Sequence, residues 1–155
     1  MPEILVVCTA NICRSPVVEA LLKIKLQENG RSHWTVHSAG TWATVSRGPS
    51  RYSLKLMQEQ GIDIRDHRAK MVDENAVARA DLVLGMETGH VEALQAEFPE
   101  HAHKIHLLSE LVGRHYSIQD PYGKDEDEYR QMVREVISIL DNGLGQLIAW
   151  VEGAA

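Results

Sequence analysis

The chain has 155 residues, of which 44% are hydrophobic, and its formal net charge at neutral pH is −6. This length predicts one domain, residues 1–155, with a buried core. The acidic balance disfavours a nucleic-acid binder, which needs a basic face, and no apolar run is long enough to cross a bilayer. The chain has only two cysteines and lacks a signal-peptide pattern, so we expect reduced thiols and a cytoplasmic location.

Apolar runs that are typical of buried strands alternate with helical patterns along the chain. In chain order the pattern predicts a strand over residues 4–7, a helix over 16–28, a strand over 34–38, a helix over 50–60, a short helix over 73–79, a strand over 81–86, a helix over 89–97, a strand over 104–108 and a helix over 125–151. Such alternation is typical of a parallel sheet. The predicted fold is therefore α/β: a doubly wound, four-stranded parallel sheet with helices on both faces. Ligands of such sheets bind beyond the carboxyl ends of the strands, where the strand order reverses.

A short loop with a cysteine and an arginine joins the first predicted strand to the first predicted helix. Its sequence is Cys8-Thr9-Ala10-Asn11-Ile12-Cys13-Arg14-Ser15, followed by Pro16 in the first turn of the helix. Unpaired N–H groups and the positive end of the helix dipole favour an anion there, either a bound phosphate or the thiolate of Cys8. The sequence therefore predicts a phosphate-binding loop.

The chemistry that this loop predicts is transfer of a phosphoryl group to Cys8. The planar fork of Arg14 can bind two phosphate oxygens, and backbone N–H groups can bind the others. Those groups belong to Thr9, Ala10, Asn11, Ile12 and Cys13. Cys8 would then lie beneath the phosphorus for in-line attack, and the Ser15 hydroxyl would stabilise its thiolate. The alternative is a buried, inert Cys8 beside an unrelated surface arginine.

A phosphate ester also needs an acid to protonate its leaving oxygen, and the loop itself contains none. Asp120 is the candidate, because it precedes Pro121 in the loop after the fourth predicted strand and is biased to an extended conformation. The alternative is that Asp120-Pro121-Tyr122-Gly123 is simply a turn sequence.

These motifs resemble the low-molecular-weight protein-tyrosine phosphatases. The resemblance rests on residues 8–16 together with Asp120-Pro121-Tyr122, and it extends to Ser38-Ala39-Gly40-Thr41 and to Asp66-His67-Arg68-Ala69-Lys70. It covers nearly the whole chain and implies a four-stranded parallel sheet flanked by helices.

The resemblance implies a role for each matching residue. Cys8 would be the nucleophile, Arg14 the phosphate clamp, and Asp120 the acid that later activates water, with no metal or other cofactor. Asn11, Ser38 and His67 would hold the loop in shape, although Ser38 could equally be a strand-end cap and His67 an interior histidine. Ala10 stands where many members carry glycine, so a positive φ at that position would strain the loop.

The residues around the loop give clues to the substrate. Ile12, Trp42 and Tyr122 could form apolar walls for a phosphotyrosine ring, although Trp42 could also be an exposed loop aromatic. Protein-arginine phosphatases of the same family carry a threonine at the place of Ile12. An isoleucine offers no hydrogen bond to a guanidinium and therefore favours an aryl substrate.

Cys13 suggests protection of Cys8, because a neighbouring thiol can trap an oxidised cysteine as a reversible disulfide. Arsenate reductases of this fold need further cysteines, and this chain has only Cys8 and Cys13. The prediction is thus a protein-tyrosine phosphatase that acts on tyrosine-phosphorylated proteins. The resemblance to bacterial members suggests a tyrosine autokinase as one partner. A protein-arginine phosphatase, a redox enzyme and a catalytically silent phosphate-binding module are the alternatives.

Overall fold

Four parallel strands form one sheet in the computed structural model, which describes residues 1–153. The strands are β1 (Glu3–Cys8), β2 (Thr35–Gly40), β3 (Leu82–Gly85) and β4 (Ile105–Leu107). Their order is β2-β1-β3-β4, and all neighbours pair in parallel. The predicted four-stranded parallel sheet is therefore confirmed.

Helices cover both faces of this sheet. They are α1 (Ser15–Glu28), α2 (Arg51–Glu59), α3 (Glu74–Arg79), α4 (Thr88–Glu97) and α5 (Glu126–Gly153). Buried side chains of α1, α2 and α5 form one core cluster, and those of α3 and α4 form the other. This arrangement confirms the doubly wound α/β fold. No helix within residues 1–153 is long and apolar enough to span a bilayer.

Strand β1 contributes to both core clusters. Ile4, Val6 and Cys8 belong to the cluster under α1, α2 and α5, whereas Leu5 and Val7 belong to the cluster under α3 and α4. This division follows from the strand period, which points successive side chains to opposite faces. Cys8 therefore ends an inner strand with its side chain on the α1 face.

The strand order reverses at β1, because the chain passes from β1 to β2 on one side and later to β3 on the other. The segment after β3 is held against β1 by a hydrogen bond from Met86 N to Val7 O (3.0 Å). Ile118 N donates to Met86 O (2.8 Å), which brings the predicted acid segment to the same edge. The fold thus brings together the loops after β1, β3 and β4, where this class of sheet binds ligands.

Two short 3-10 helices differ from the sequence prediction. Residues Pro99–Lys104 form one, and Leu108–Val112 form the other, so β4 has three residues instead of the predicted five. Pro99 stands in the first turn of its helix, where a fixed φ suits helical backbone. Such short turns carry no apolar period by which a sequence could reveal them.

Candidate active site

The loop between β1 and α1 presents a run of unpaired backbone donors. None of the N–H groups of residues 9–14 donates a hydrogen bond within residues 1–153. Asn11 has a φ of 59°, in the left-handed region that asparagine tolerates better than most residues. Ala10 is not among the residues with positive φ, so the strain considered for an alanine does not arise. A bend of this kind can turn successive N–H groups toward one anion.

A chain of hydrogen bonds links the sulfur of Cys8 to a carboxylate. Ser15 Oγ lies 2.9 Å from Cys8 Sγ. Asn11 Nδ2 donates to Ser15 Oγ (2.8 Å) and to Ser38 Oγ (2.9 Å), and Ser38 Oγ donates to Glu19 Oε1 (2.5 Å). Because Asn11 supplies the proton of its bond to Ser15, the hydroxyl proton of Ser15 is free for the sulfur. The network therefore favours Cys8 as the acceptor of the hydrogen bond from Ser15.

Asn11 is also held from the side opposite this network. Lys70 N donates to Asn11 Oδ1 (3.1 Å), which fixes the orientation of the amide. The half-buried His67 donates from Nε2 to Asn11 O (2.6 Å). The structure thus brings Asn11, Ser38 and His67 together around the loop, and their contribution to activity stays a prediction.

Residues 41–50 form an arch that is fastened to the phosphate loop at both ends. Trp42 N donates to Thr9 O (2.8 Å), and Ser50 N donates to Ile12 O (2.9 Å). Gly40 permits this close approach, because a Cβ at that position would lie 2.4 Å from Thr9 O. Steric exclusion of a side chain therefore explains the glycine of the Ser38-Ala39-Gly40-Thr41 motif.

The guanidinium of Arg14 is buried at the mouth of the loop, with 1% of its side chain exposed. Nη1 donates to Ile118 O (2.8 Å) and pairs with Glu87 Oε2 (3.1 Å). Nη2 makes longer contacts, 3.4 Å to Thr9 Oγ1 and 3.5 Å to Asp120 Oδ2. The buried Nε has no hydrogen-bond partner within residues 1–153. Such a donor costs about 1–3 kcal/mol, which a phosphate oxygen would remove.

Glu87 and His90 also contact Arg14 or its partners, although neither is among the site residues predicted from the sequence. Glu87 N donates to His90 Nδ1 (3.1 Å), so Nε2 carries the ring proton and lies 2.8 Å from Thr9 Oγ1. Burial, and then the charge of Arg14, lower the pKa of His90, although Glu87 opposes them. Both residues follow β3, so their only sequence signal was their place at the carboxyl end of a strand beside β1.

Asp120 lies beside Arg14 at the edge of the site. Its Oδ1 accepts a hydrogen bond from Tyr122 N (3.1 Å), and its side chain is 41% exposed. The bond to Tyr122 is the side-chain-to-backbone bond of a turn. The turn interpretation and the acid interpretation are therefore compatible, since the turn aims the other oxygen, Oδ2, at Arg14.

Cys13 faces the interior rather than the loop. Its sulfur lies 3.3 Å from Tyr129 Oη, and its carbonyl accepts a hydrogen bond from Ser53 Oγ (2.8 Å). Burial raises the pKa of the Cys13 thiol despite its hydrogen bonds to hydroxyl groups. Both cysteines are free thiols in the structure. Cys13 is thus held in its protonated form, and its protective role stays a prediction.

The three predicted wall residues differ in their exposure. Ile12 is only 1% exposed and packs in the core cluster of α1, whereas Trp42 is 81% and Tyr122 is 55% exposed. Ile12 therefore offers no open wall in this structure, and its contact with a substrate ring stays a prediction. The largest surface cavity described, 490 Å³, lies at the opposite edge of the sheet beside Asp81 and Lys104. It plays no part in the chemistry of Cys8.

Comparisons with known proteins agree with this geometry. The family described as low molecular weight phosphotyrosine protein phosphatase matches residues 3–153. A probable low molecular weight protein-tyrosine-phosphatase, EpsP of Ralstonia nicotianae, is 34% identical over 148 residues, which is 96% of this chain and 92% of that protein. A protein-arginine-phosphatase of Bacillus subtilis is 32% identical over 139 residues, which is 89% of this chain and 91% of that protein.

A solved structure shows the same fold. The low molecular weight protein tyrosine phosphatase from T. tengcongensis superposes with a TM-score of 0.88 and 36% identity, covering 94% of this chain and 99% of that one. Sequence and fold thus both match over nearly the whole chain. The chain belongs to the low molecular weight phosphotyrosine protein phosphatase family and is a cysteine-dependent phosphatase.

Proposed function

We propose that this chain hydrolyses phosphotyrosine in proteins through a phosphocysteine intermediate on Cys8. The observation that carries the proposal is the run of unpaired N–H groups of residues 9–14 together with the unpartnered Nε of Arg14. A phosphate group has the acceptor oxygens to satisfy these donors, and the end of α1 adds a favourable dipole.

The first step is in-line attack of the Cys8 thiolate on phosphorus. The S–P bond forms as the bond from phosphorus to the phenolic oxygen breaks, while Arg14 and the loop N–H groups bind the other three oxygens. Asp120, 3.5 Å from Arg14 in the structure, transfers a proton to the leaving phenolic oxygen. The products of this step are the phosphocysteine and the free tyrosine hydroxyl.

The second step hydrolyses the phosphocysteine. The carboxylate of Asp120 accepts a proton from water, whose oxygen attacks phosphorus as the S–P bond breaks. The sulfur leaves as a thiolate and accepts the hydrogen bond of Ser15, whose Oγ lies 2.9 Å away. Side chains and backbone donors of this chain carry out both steps.

The rim of the site supports a protein substrate. Four of the large exposed hydrophobic side chains lie on or beside the arch and the turn of Asp120: Trp42, Val45, Met71 and Tyr122. Exposed apolar groups gathered at one mouth are typical of an interaction surface. We propose tyrosine-phosphorylated proteins as partners, with a bacterial tyrosine autokinase as a candidate. Because Cys8 must stay a free thiol, we also propose a cytoplasmic location.

Turnover of an aryl phosphate in the presence of a metal chelator tests the mechanism. We expect Cys8→Ser to abolish turnover, with thermal unfolding measured in parallel to show that the variant is folded. Asp120→Ala should trap substrate, so a pull-down with this variant should capture phosphotyrosine proteins. Full activity of Cys8→Ser would overturn the proposal.

A protein-arginine phosphatase is the second candidate, because one relative with that name is 32% identical over 89% of this chain. Phosphorus is then bonded to a guanidinium nitrogen, which needs polar partners at the place of the ring. Ile12 supplies none, but its side chain is only 1% exposed and offers no open wall, so it does not distinguish the two substrates. Matched phosphotyrosine and phosphoarginine peptides distinguish the two, and a higher kcat/KM on phosphoarginine would replace the first proposal with the second.

A further inference from the structure

Arg47 crosses the mouth of the site from the arch to the turn of Asp120. Its Nη2 donates to Tyr122 Oη (3.4 Å), and its guanidinium carbon lies 5.5 Å from the centre of the Tyr122 ring. Because the arch is fastened to the phosphate loop through Trp42 and Ser50, the position of Arg47 is fixed relative to Cys8. Arg47 is thus a cation held at the rim of the reaction site.

The charge of Arg47 is unpaired within the chain. No carboxylate oxygen of residues 1–153 lies within 4.0 Å of its guanidinium, and its side-chain partner is the neutral phenol of Tyr122. Asp120, the nearby acid, faces Arg14 instead. By contrast, Arg130 pairs with both Glu59 and Glu126. An exposed, unpaired arginine at a binding rim of an acidic protein is free to bind an anion of a partner.

Tyr122 lowers the entropic cost that Arg47 pays when it binds an anion. The flexible side chain of an arginine loses conformational freedom when it binds, and a guanidinium that already lies against a ring loses less of it. The bond to Tyr122 uses Nη2, and no other side-chain hydrogen bond of the Arg47 guanidinium is found within residues 1–153, so its remaining N–H groups can bind a ligand. The bidentate fork of arginine matches both carboxylate and phosphate.

We propose that Arg47 is a specificity-determining residue that binds an anionic side chain next to the phosphotyrosine of the substrate. This inference rests on the proposed function, because it deepens the choice of protein substrate at the same site. The anion is a carboxylate or a second phosphate, both of which Arg47 binds by the same fork. Substrates with acidic or multiply phosphorylated tyrosine segments are therefore favoured.

A purely structural role is the competing explanation. If Arg47 only fastens the arch to Tyr122, its loss would loosen the site and lower kcat/KM for every substrate by the same factor. If Arg47 binds an anion of the substrate, its loss changes the ratio between acidic and neutral peptides. The ratio is therefore the quantity to measure.

The experiment compares three phosphotyrosine peptides of equal length on the full chain. One has neutral neighbours, one has glutamates beside the phosphotyrosine, and one has a second phosphotyrosine. We expect Arg47→Ala to lower the preference for each anionic peptide over the neutral one by about threefold, and Arg47→Glu by about tenfold. Added salt should lower the wild-type preference in the same direction.

Arg134→Ala is the matched control, because it changes the net charge equally. Arg134 is exposed on α5 beside Glu59 and Gln60. We expect this variant to retain the wild-type ratio. An unchanged ratio of anionic to neutral peptide turnover in both Arg47 variants would overturn this proposal. The proposed function would still stand in that case, provided that wild type acts on the phosphotyrosine peptides. Failure of wild type to act on any phosphotyrosine peptide would instead refute the proposed function. A preference lost for only one anionic peptide would identify which anion Arg47 binds.

Discussion

The hydrogen bond from Ser15 to the sulfur of Cys8 can be tested by removing one hydroxyl. In Ser15→Ala the thiolate loses a donor that lies 2.9 Å away. A hydrogen bond to a charged group contributes about 1.5–3 kcal/mol, and about 1.4 kcal/mol corresponds to tenfold in rate. Because the thiolate is the leaving group of the second step, we expect kcat to fall by about 10-fold to 100-fold.

Ser38→Ala is a control that makes the same chemical change without touching sulfur. Ser15 and Ser38 are both buried, and each accepts a hydrogen bond from Asn11 Nδ2, at 2.8 and 2.9 Å. Either variant leaves that buried amide short of one acceptor, which lowers the free energy of unfolding by about 1–3 kcal/mol. The two variants should therefore match in stability and differ in kcat.

Rapid-quench kinetics with p-nitrophenyl phosphate separate the two steps, and urea unfolding measures the stability of each variant. Ser15→Ala should accumulate phosphocysteine, because the second step, in which sulfur leaves as a thiolate, is slowed more than the first. Alkylation of Cys8 by iodoacetamide at fixed pH should also slow in that variant. Equal kcat values for Ser15→Ala and Ser38→Ala would refute the reasoning, since they would show that the bond to sulfur contributes nothing.

Three further predictions follow from other contacts. Asp120→Asn should lower kcat on phosphotyrosine by about 10²- to 10⁴-fold but affect p-nitrophenyl phosphate less, because that leaving group needs no proton; equal losses would contradict the assignment. The lowered pKa of His90 means that its contribution to the free energy of unfolding is present above its ordinary pKa of 6.5 and is lost as the pH falls below it. The free energies of unfolding of wild type and His90→Gln, measured in urea, should therefore converge at acid pH. A difference between them that is the same at every pH would exclude His90 as the source of this pH dependence. A Cβ at Gly143 would lie 2.7 Å from Leu111 Cβ, whereas Gly145 faces open space. Gly143→Ala should thus destabilise the protein by about 1–3 kcal/mol and Gly145→Ala should stabilise it by about 1 kcal/mol, as chemical unfolding will show.

The sequence predicted the phosphate loop well because its signals are local. The apolar run before Cys8 marks the start of the loop, and the proline after Ser15 marks its end. The helix predicted over residues 16–28 is Ser15–Glu28 in the structure. The element order then placed Cys8 at the carboxyl end of an inner strand. Periodicity and turn residues suffice for these features.

The contacts of Arg14 could not be predicted, because they join segments that are distant in the chain. Glu87 pairs with Arg14 because β3 lies beside β1 in the sheet. Nothing in the sequence around Glu87 indicates Arg14 as its partner. The burial of Ile12 was hidden for a related reason: an apolar loop residue can line a slot or fill a core. Its 1% exposure results from its place in the core cluster under α1, α2 and α5.

The unpartnered Nε of Arg14 also predicts how the enzyme responds to its own product. Orthophosphate carries the same oxygens as the substrate group, so it relieves the same buried donor and stabilises the folded chain by mass action. Inorganic phosphate should therefore compete with the substrate. Over the same concentration range it should raise the melting temperature of the protein. Each turnover releases one orthophosphate, so the reaction should slow as its own product accumulates at a fixed concentration of substrate.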